Sequence, residues 1–127
     1  MKIFKFGGAS VKDAKSVVNL KSILENHESN LIVICSAMGK TTNHLENIWK
    51  FHSEGIVDSA LKNLSQIISF HQNIYTELGL DKDTFFIKKF NQLTNNLTLF
   101  IQEGSKDIKG LSYDEIVSYG ELWSTTI

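Results

Sequence analysis

Leu31-Ile32-Val33-Ile34-Cys35 is an unbroken apolar run of strand length, and such a run suits a strand covered on both faces. Upstream, Lys2 to Phe6 alternates lysine with apolar residues, and the bulky Ile3, Phe4 and Phe6 favour another strand. Between the two, Ala14, Val17, Val18, Leu20, Ile23 and Leu24 mostly follow a 3.6-residue period. That spacing predicts a helix, which Ser10 or Asp13 can cap and which ends near Asn26 to Ser29. Strand, helix and strand in this order make a βαβ unit with a parallel pair and a right-handed crossover, so the chain belongs to the α/β class.

Parallel strands bind ligands at their carboxyl ends, so the segments that leave these two strands are where chemistry is expected. The first is Lys5-Phe6-Gly7-Gly8-Ala9-Ser10-Val11. Glycines let a backbone turn sharply and come close to an anion. A following helix offers unpaired N–H groups and the positive end of its dipole, and Lys5 adds a formal charge. Two adjacent glycines after a strand are by themselves most often a plain tight turn, and with the lysine ahead of them the spacing is neither a P-loop nor G-x-G-x-x-G. The second segment, Ser36-Ala37-Met38-Gly39-Lys40-Thr41-Thr42-Asn43, is small, polar and flexible, and its hydroxyls also suit turn and capping groups for the next helix.

From Asn43 onward the period is helical. Leu45, Ile48, Trp49 and His52 form one stripe, broken at Gly55. A second runs from Val57 through Leu64, Ile67, His71 and Ile74 to Leu78 and ends at Gly79. A third runs from Phe86 to Ile101 and ends at Gly104. Ser112-Tyr113-Asp114-Glu115 is a capping-box pattern opening a fourth helix through Ile116, Tyr119, Leu122 and Trp123. Gly120 inside it costs ~1 kcal/mol relative to alanine, which suggests close approach of another backbone or a ligand, with Glu121 beside it as a buried, partnered carboxylate. The last residues read as the interior of a helix, and two strands are few for so many helices. The expectation is therefore the opening part of a longer protein.

Composition narrows the function further. A formal charge of −1 in 127 residues lacks the basic excess of a nucleic-acid binder, and no apolar run approaches the ~20 residues that span a bilayer. A cytoplasmic protein with no nucleic-acid or membrane partner is expected. All 13 cationic residues are lysines, so the planar two-pronged grip of arginine on a carboxylate or phosphate is missing from these residues. The lone Cys35 reads as a buried structural thiol. His27, His44, His52 and His71 lack metal-like spacing, so no metal site is expected. The aromatic residues Trp49, Phe86, Phe90, Phe100 and Trp123 fall on core stripes, and Lys82, Lys88, Lys89, Lys106 and Lys109 on a solvated face.

Taken together, the Lys5–Val11 and Ser36–Asn43 segments and a third, Ser118-Tyr119-Gly120-Glu121-Leu122-Trp123-Ser124-Thr125, resemble in order and spacing the three N-terminal signatures of the aspartokinases. Those read K-F-G-G-T-S-V, S-A-x-x-x-x-T-N and S-x-G-E-x-x-S, and Ala9 here replaces the common threonine. The resemblance implies an amino acid kinase-like αβα sandwich. Residues 1–127 would be the N-terminal part of its catalytic domain, a βαβ start followed by a mostly helical segment, without the later arginine-containing segment or the regulatory ACT domains. It implies phosphorylation of the side-chain carboxylate of L-aspartate by ATP and Mg²⁺, the first step toward lysine, threonine and methionine, by the intact protein and not by these residues alone. It further implies that Lys5 is catalytic and that Lys5, Phe6, Gly7, Gly8 and Ser10 bind ATP. Ser36, Thr42 and Glu121 would bind aspartate. A homo-oligomer is expected, and for these residues alone an exposed sheet edge and an unfinished helix favour self-association. Other expectations for such a chain are a kinase of the same fold acting on another acid or a nucleotide, and a noncatalytic α/β interaction module.

Overall fold

The computed structural model describes residues 1–27, 30–103 and 113–127. Strand β1 (Lys2–Phe6) leads through one turn of 3-10 helix (Gly8–Val11) to α1 (Ala14–Glu25) and β2 (Leu31–Cys35). Helices α2 (Thr41–Ser53), α3 (Val57–Glu77), α4 (Thr84–Glu103) and α5 (Tyr113–Thr126) follow, with a short 3-10 turn (Leu80–Lys82) between α3 and α4. The strands pair in parallel, in a register running from Lys2 opposite Leu31 to Phe6 opposite Cys35. The βαβ unit is therefore present, with the strand boundaries that the apolar runs indicate. The Ser112 cap, the Gly104 helix end and Lys106 and Lys109 lie outside the described residues.

Helices α2 to α5 form the larger core. Leu45 and Ile48 of α2, Leu64 and Ile67 of α3, Phe90 and Leu97 of α4, and Ile116 and Trp123 of α5 are buried together. Their spacing of three and seven residues is what places one stripe of each helix inward. Tyr75 meets Phe86 and Phe90 edge-on at 5.1 Å, the offset geometry that aromatic quadrupoles favour. Phe86, Phe90 and Trp123 are thus core residues as expected, whereas Trp49 stands at the surface, edge-on to Tyr113. A smaller core joins the strand layer to the helices through Val11, Ala14, Met38 and Ile74. Helix α3 belongs to both cores, through Ile67 and Tyr75 on one side and Ile74 on the other.

Two expectations fail in the strand layer. Strand β2 is not covered on both faces: Ile32, Val33 and Ile34 are 44%, 38% and 48% exposed. Among the described residues the sheet has two strands. Val33 and Cys35 look onto a groove shared with α1 and the end of α5, while Ile32 and Ile34, on the alternate face, lack such cover. Cys35 is accordingly half-buried rather than sequestered, and burial still pushes its thiol pKa up. The second is that α1 does not follow the glycine turn directly, although Asp13, one of the two expected caps, does cap it. Gly7 and Gly8 feed a 3-10 turn, and α1 begins only at Ala14, with Asp13 as its cap. The Asp13 carboxylate accepts hydrogen bonds from the Ser16 N–H at 2.7 Å and the Ser16 hydroxyl at 2.6 Å, which holds its pKa below the usual value. A carboxylate already sits where an anion would meet the α1 dipole, so the glycine turn, not α1, is the open backbone at this edge.

Candidate active site

The parallel register puts the carboxyl ends of β1 and β2 side by side, and the Ser36 N–H donates to the Phe6 carbonyl at 2.9 Å. The Gly7–Val11 and Ser36–Lys40 segments therefore leave the sheet at one edge. They touch at once: a Cβ at Gly8 would stand 3.0 Å from the Ala37 carbonyl oxygen and 3.5 Å from that of Gly39. Gly8 is a glycine because the second loop lies against it.

Helix α5 reaches the same loop from the other side. A Cβ at Gly120 would lie 2.6 Å from the Ala37 Cβ, 3.4 Å from Leu45 Cδ1 and 3.6 Å from Thr41 Cγ2. The close approach read from the mid-helix glycine is therefore real, and its neighbour is the Ala37 loop. Ala37 is buried between Gly8 and Gly120, and the three separate segments meet there.

Inside the loop, Gly39 has φ +52°, in the left-handed region that favours glycine. Thr41 is buried and its hydroxyl donates to the Met38 carbonyl at 2.6 Å, so it knits the loop to the start of α2. The cap position of α2 is Lys40, which supplies no side-chain hydrogen bond. Thr42 is half-buried, and its hydroxyl has no hydrogen-bond partner among the described residues. Of the two threonines, Thr41 carries structure and Thr42 is left available.

The remaining positions singled out by sequence are distributed around this meeting point. Lys5 is exposed on β1 opposite Ile34, on the face away from Phe6, whose ring stacks on Phe4 at 6.2 Å. Gly7 is exposed, and nothing lies within 4 Å of where its Cβ would be. Phe6 and Ser10 help line an open cavity of about 510 Å³ together with Lys12 and Lys15. Ser36 is half-buried. Glu121, expected as a buried carboxylate, is exposed. The buried stripe of α5 is Ile116, Gly120, Trp123 and Ser124, and at 100° per residue Glu121 falls outside it. The glycine, not the glutamate, is what the seam buries.

Sequence reasoning passed over two participants. Ala37 was one small residue in a loop, and only the pairing of Gly8 with Gly120 marks it as a contact point. Phe70 of α3, which is not among the stripe residues named from the sequence, stands with its Cζ 3.0 Å from where a Gly39 Cβ would be.

A two-stranded parallel start, two loops leaving its carboxyl edge and a helix bringing Gly120 against the second of them are the features the chain carries into comparison with known families. The chain matches the amino acid kinase family over residues 1–127 and belongs to it. Within that family it is similar to aspartokinases. It is 33% identical to aspartokinase 1 (chloroplastic) of Arabidopsis thaliana over 98% of this chain and 22% of that protein. It is 26% identical to the bifunctional aspartokinase/homoserine dehydrogenase of Buchnera aphidicola over 100% of this chain and 16% of that protein. Its fold superposes on E. coli aspartokinase III in complex with aspartate and ADP with a TM-score of 0.78 at 23% identity, covering 98% of this chain and 27% of that one. Clostridium acetobutylicum aspartate kinase gives a TM-score of 0.77 at 23% identity, over 97% and 27%. The chain spans about a fifth of the length of the curated aspartokinases of Arabidopsis thaliana that it matches, 22% for the first. Among the described residues no helix is long and apolar enough to cross a membrane.

Proposed function

We propose that these residues are the N-terminal part of an aspartokinase catalytic domain. In the complete protein they would help transfer the terminal phosphoryl group of ATP to the side-chain carboxylate of L-aspartate, giving 4-phospho-L-aspartate. The observation that carries this reading is the meeting of all three signature segments at Ala37, with Gly8 on one side and Gly120 on the other. In phosphoryl transfer the protein mainly positions groups and stabilises charge. Lys5 neutralises charge on the transferring group, and the backbone of Phe6, Gly7 and Gly8 with Ser10 holds the phosphates. The open space beside Gly7 leaves room for a nucleotide's phosphates. Mg²⁺ would arrive with the nucleotide and lower its charge.

On the acceptor side, Thr42 and Glu121 hold aspartate, with Ser36 lining the site. Glu121 stands exposed beside the seam, suited to pair with an α-ammonium group. The substrate carboxylate is itself the nucleophile, so no strong base is needed. Since every cation here is lysine, a guanidinium clamp for the aspartate carboxylate would come from residues outside these 127. The reading extends to the first step of lysine, threonine and methionine synthesis, in a cytoplasmic homo-oligomer.

In the complete protein, Lys5→Ala should cut turnover by orders of magnitude while leaving the unfolding midpoint nearly unchanged, measured by coupled ADP release and circular dichroism. Glu121→Ala should chiefly raise the KM for aspartate. Near-normal turnover in Lys5→Ala, or no aspartyl phosphate from the unsubstituted protein, would overturn the reading.

A further inference from the structure

Two of the three grips on the Ser36–Asn43 loop come from the signature segments themselves, Gly8 at the Ala37 carbonyl and Gly120 at the Ala37 methyl. The third comes from α3. Phe70 places Cζ 3.0 Å, and Cε1 and Cε2 3.7 Å, from where a Gly39 Cβ would be, at the loop residue with φ +52°. The ring tip therefore abuts the one backbone position in the loop that is held left-handed. Beside the ring is a cavity of about 430 Å³, which Lys40, Thr41 and His44 also line. The loop has room to move on that side if the ring is shortened.

The next residue on α3 does the equivalent work on α5. His71 is fully buried, its Nδ1 is 2.8 Å from the Ile67 carbonyl, and its ring lies 5.5 Å from that of Trp123 and 5.3 Å from that of Phe70. Trp123 is three residues from Gly120, on the same buried stripe. Consecutive rings of one helix thus bear on the two segments assigned to aspartate.

We propose that Phe70 is a positioning residue for the acceptor substrate. By bracing the left-handed turn at Gly39, just ahead of α2, it sets where the first turn of α2 presents Thr42, in register with the α5 segment that its neighbour His71 supports. The inference rests on the aspartate reading given above. A displacement of about 1 Å in a substrate-holding group is enough to cost up to a hundredfold in activity.

The test uses the complete protein and three measurements on each variant: the KM for aspartate, the KM for ATP and the unfolding midpoint. Phe70→Ala should raise the aspartate KM about tenfold and leave the ATP KM within about twofold. Phe70→Tyr puts a hydroxyl on the atom that abuts Gly39, so it should also raise the aspartate KM, although it keeps the ring's bulk and most of the stability. Gly39→Ala should do the same, because its new Cβ meets the ring. Combined with Phe70→Leu, which removes the ring tip, it should be less damaging than the product of the two single effects. An unchanged aspartate KM in both Phe70→Ala and Phe70→Tyr, or strictly multiplicative effects in the Gly39 and Phe70 pair, would overturn the positioning role. The unsubstituted protein reports separately on the functional reading, since its failure to phosphorylate aspartate would sink that reading without any variant being made.

Discussion

The strand layer and the helical half of this molecule use similar apolar sequences to opposite effect. In α2 to α5 the apolar residues form stripes, and Leu45, Ile48, Leu97, Ile101 and Trp123 are entirely buried. In β2 a denser apolar run leaves Ile32 and Ile34 nearly half exposed. Helices supply their own neighbours from adjacent sequence, whereas a parallel strand depends on strands and helices brought from elsewhere. The helical half buries its stripes against one another, the strand layer leaves Ile32 and Ile34 exposed, and the candidate site lies where the two meet.

That contrast can be broken by experiment, and the largest effect is expected in the helical half. In the 127-residue chain, Trp123→Ala should cost about 3–5 kcal/mol of unfolding free energy by urea titration, because an entirely buried indole is replaced by a cavity. A loss near zero would mean the helical core is not the seat of stability. Gly120→Ala, at the seam, should cost about 1–3 kcal/mol, since its methyl would stand 2.6 Å from that of Ala37. In the complete protein it should also raise the aspartate KM. Ile34→Thr should change stability by less than about 0.5 kcal/mol in the 127-residue chain, given 48% exposure. The same substitution costing several-fold more in the complete protein would show that other residues cover this face.

A finer test uses pH. Burial lowers the His71 pKa, only partly offset by its hydrogen bond to the Ile67 carbonyl. The folded value therefore lies below the unfolded one, near 6.5, and the unfolded chain takes up the proton first. The stability tied to the neutral ring is fully present above about pH 7 and is lost as the pH falls through 6.5 and toward the folded value. Thermal melts between pH 7.5 and 5 should show that decline, and His71→Phe should flatten it. Equal slopes for both would mean that His71 does not titrate across folding.

Much of this was readable from residue order. Val57 through Leu78 and Phe86 through Ile101 state their helices by period, and Leu31–Cys35 states its strand by continuity, because those signals are local. The cover of β2 was misread because a run of apolar side chains specifies a preference for burial and not the neighbour that satisfies it. Glu121 was misread for a related reason: the mid-helix glycine correctly signalled a close contact, but one residue's rotation turns the next side chain outward. Asp13 taking the α1 cap was one of two readings left open, and only the geometry of Ser16 separates it from Ser10. The contact of Phe70 with Gly39 joins positions 31 residues apart and leaves no local trace.

The crowding at Ala37 has a consequence for how this sequence can vary. One methyl fits between the loop and α5, and at present position 37 owns it. Ala37→Gly would vacate the space that a methyl at position 120 needs, so alanine could cross from the loop to the helix in two substitutions but could not stand on both sides. The two positions therefore carry a single shared choice, and a change at either is intelligible only with the other in view.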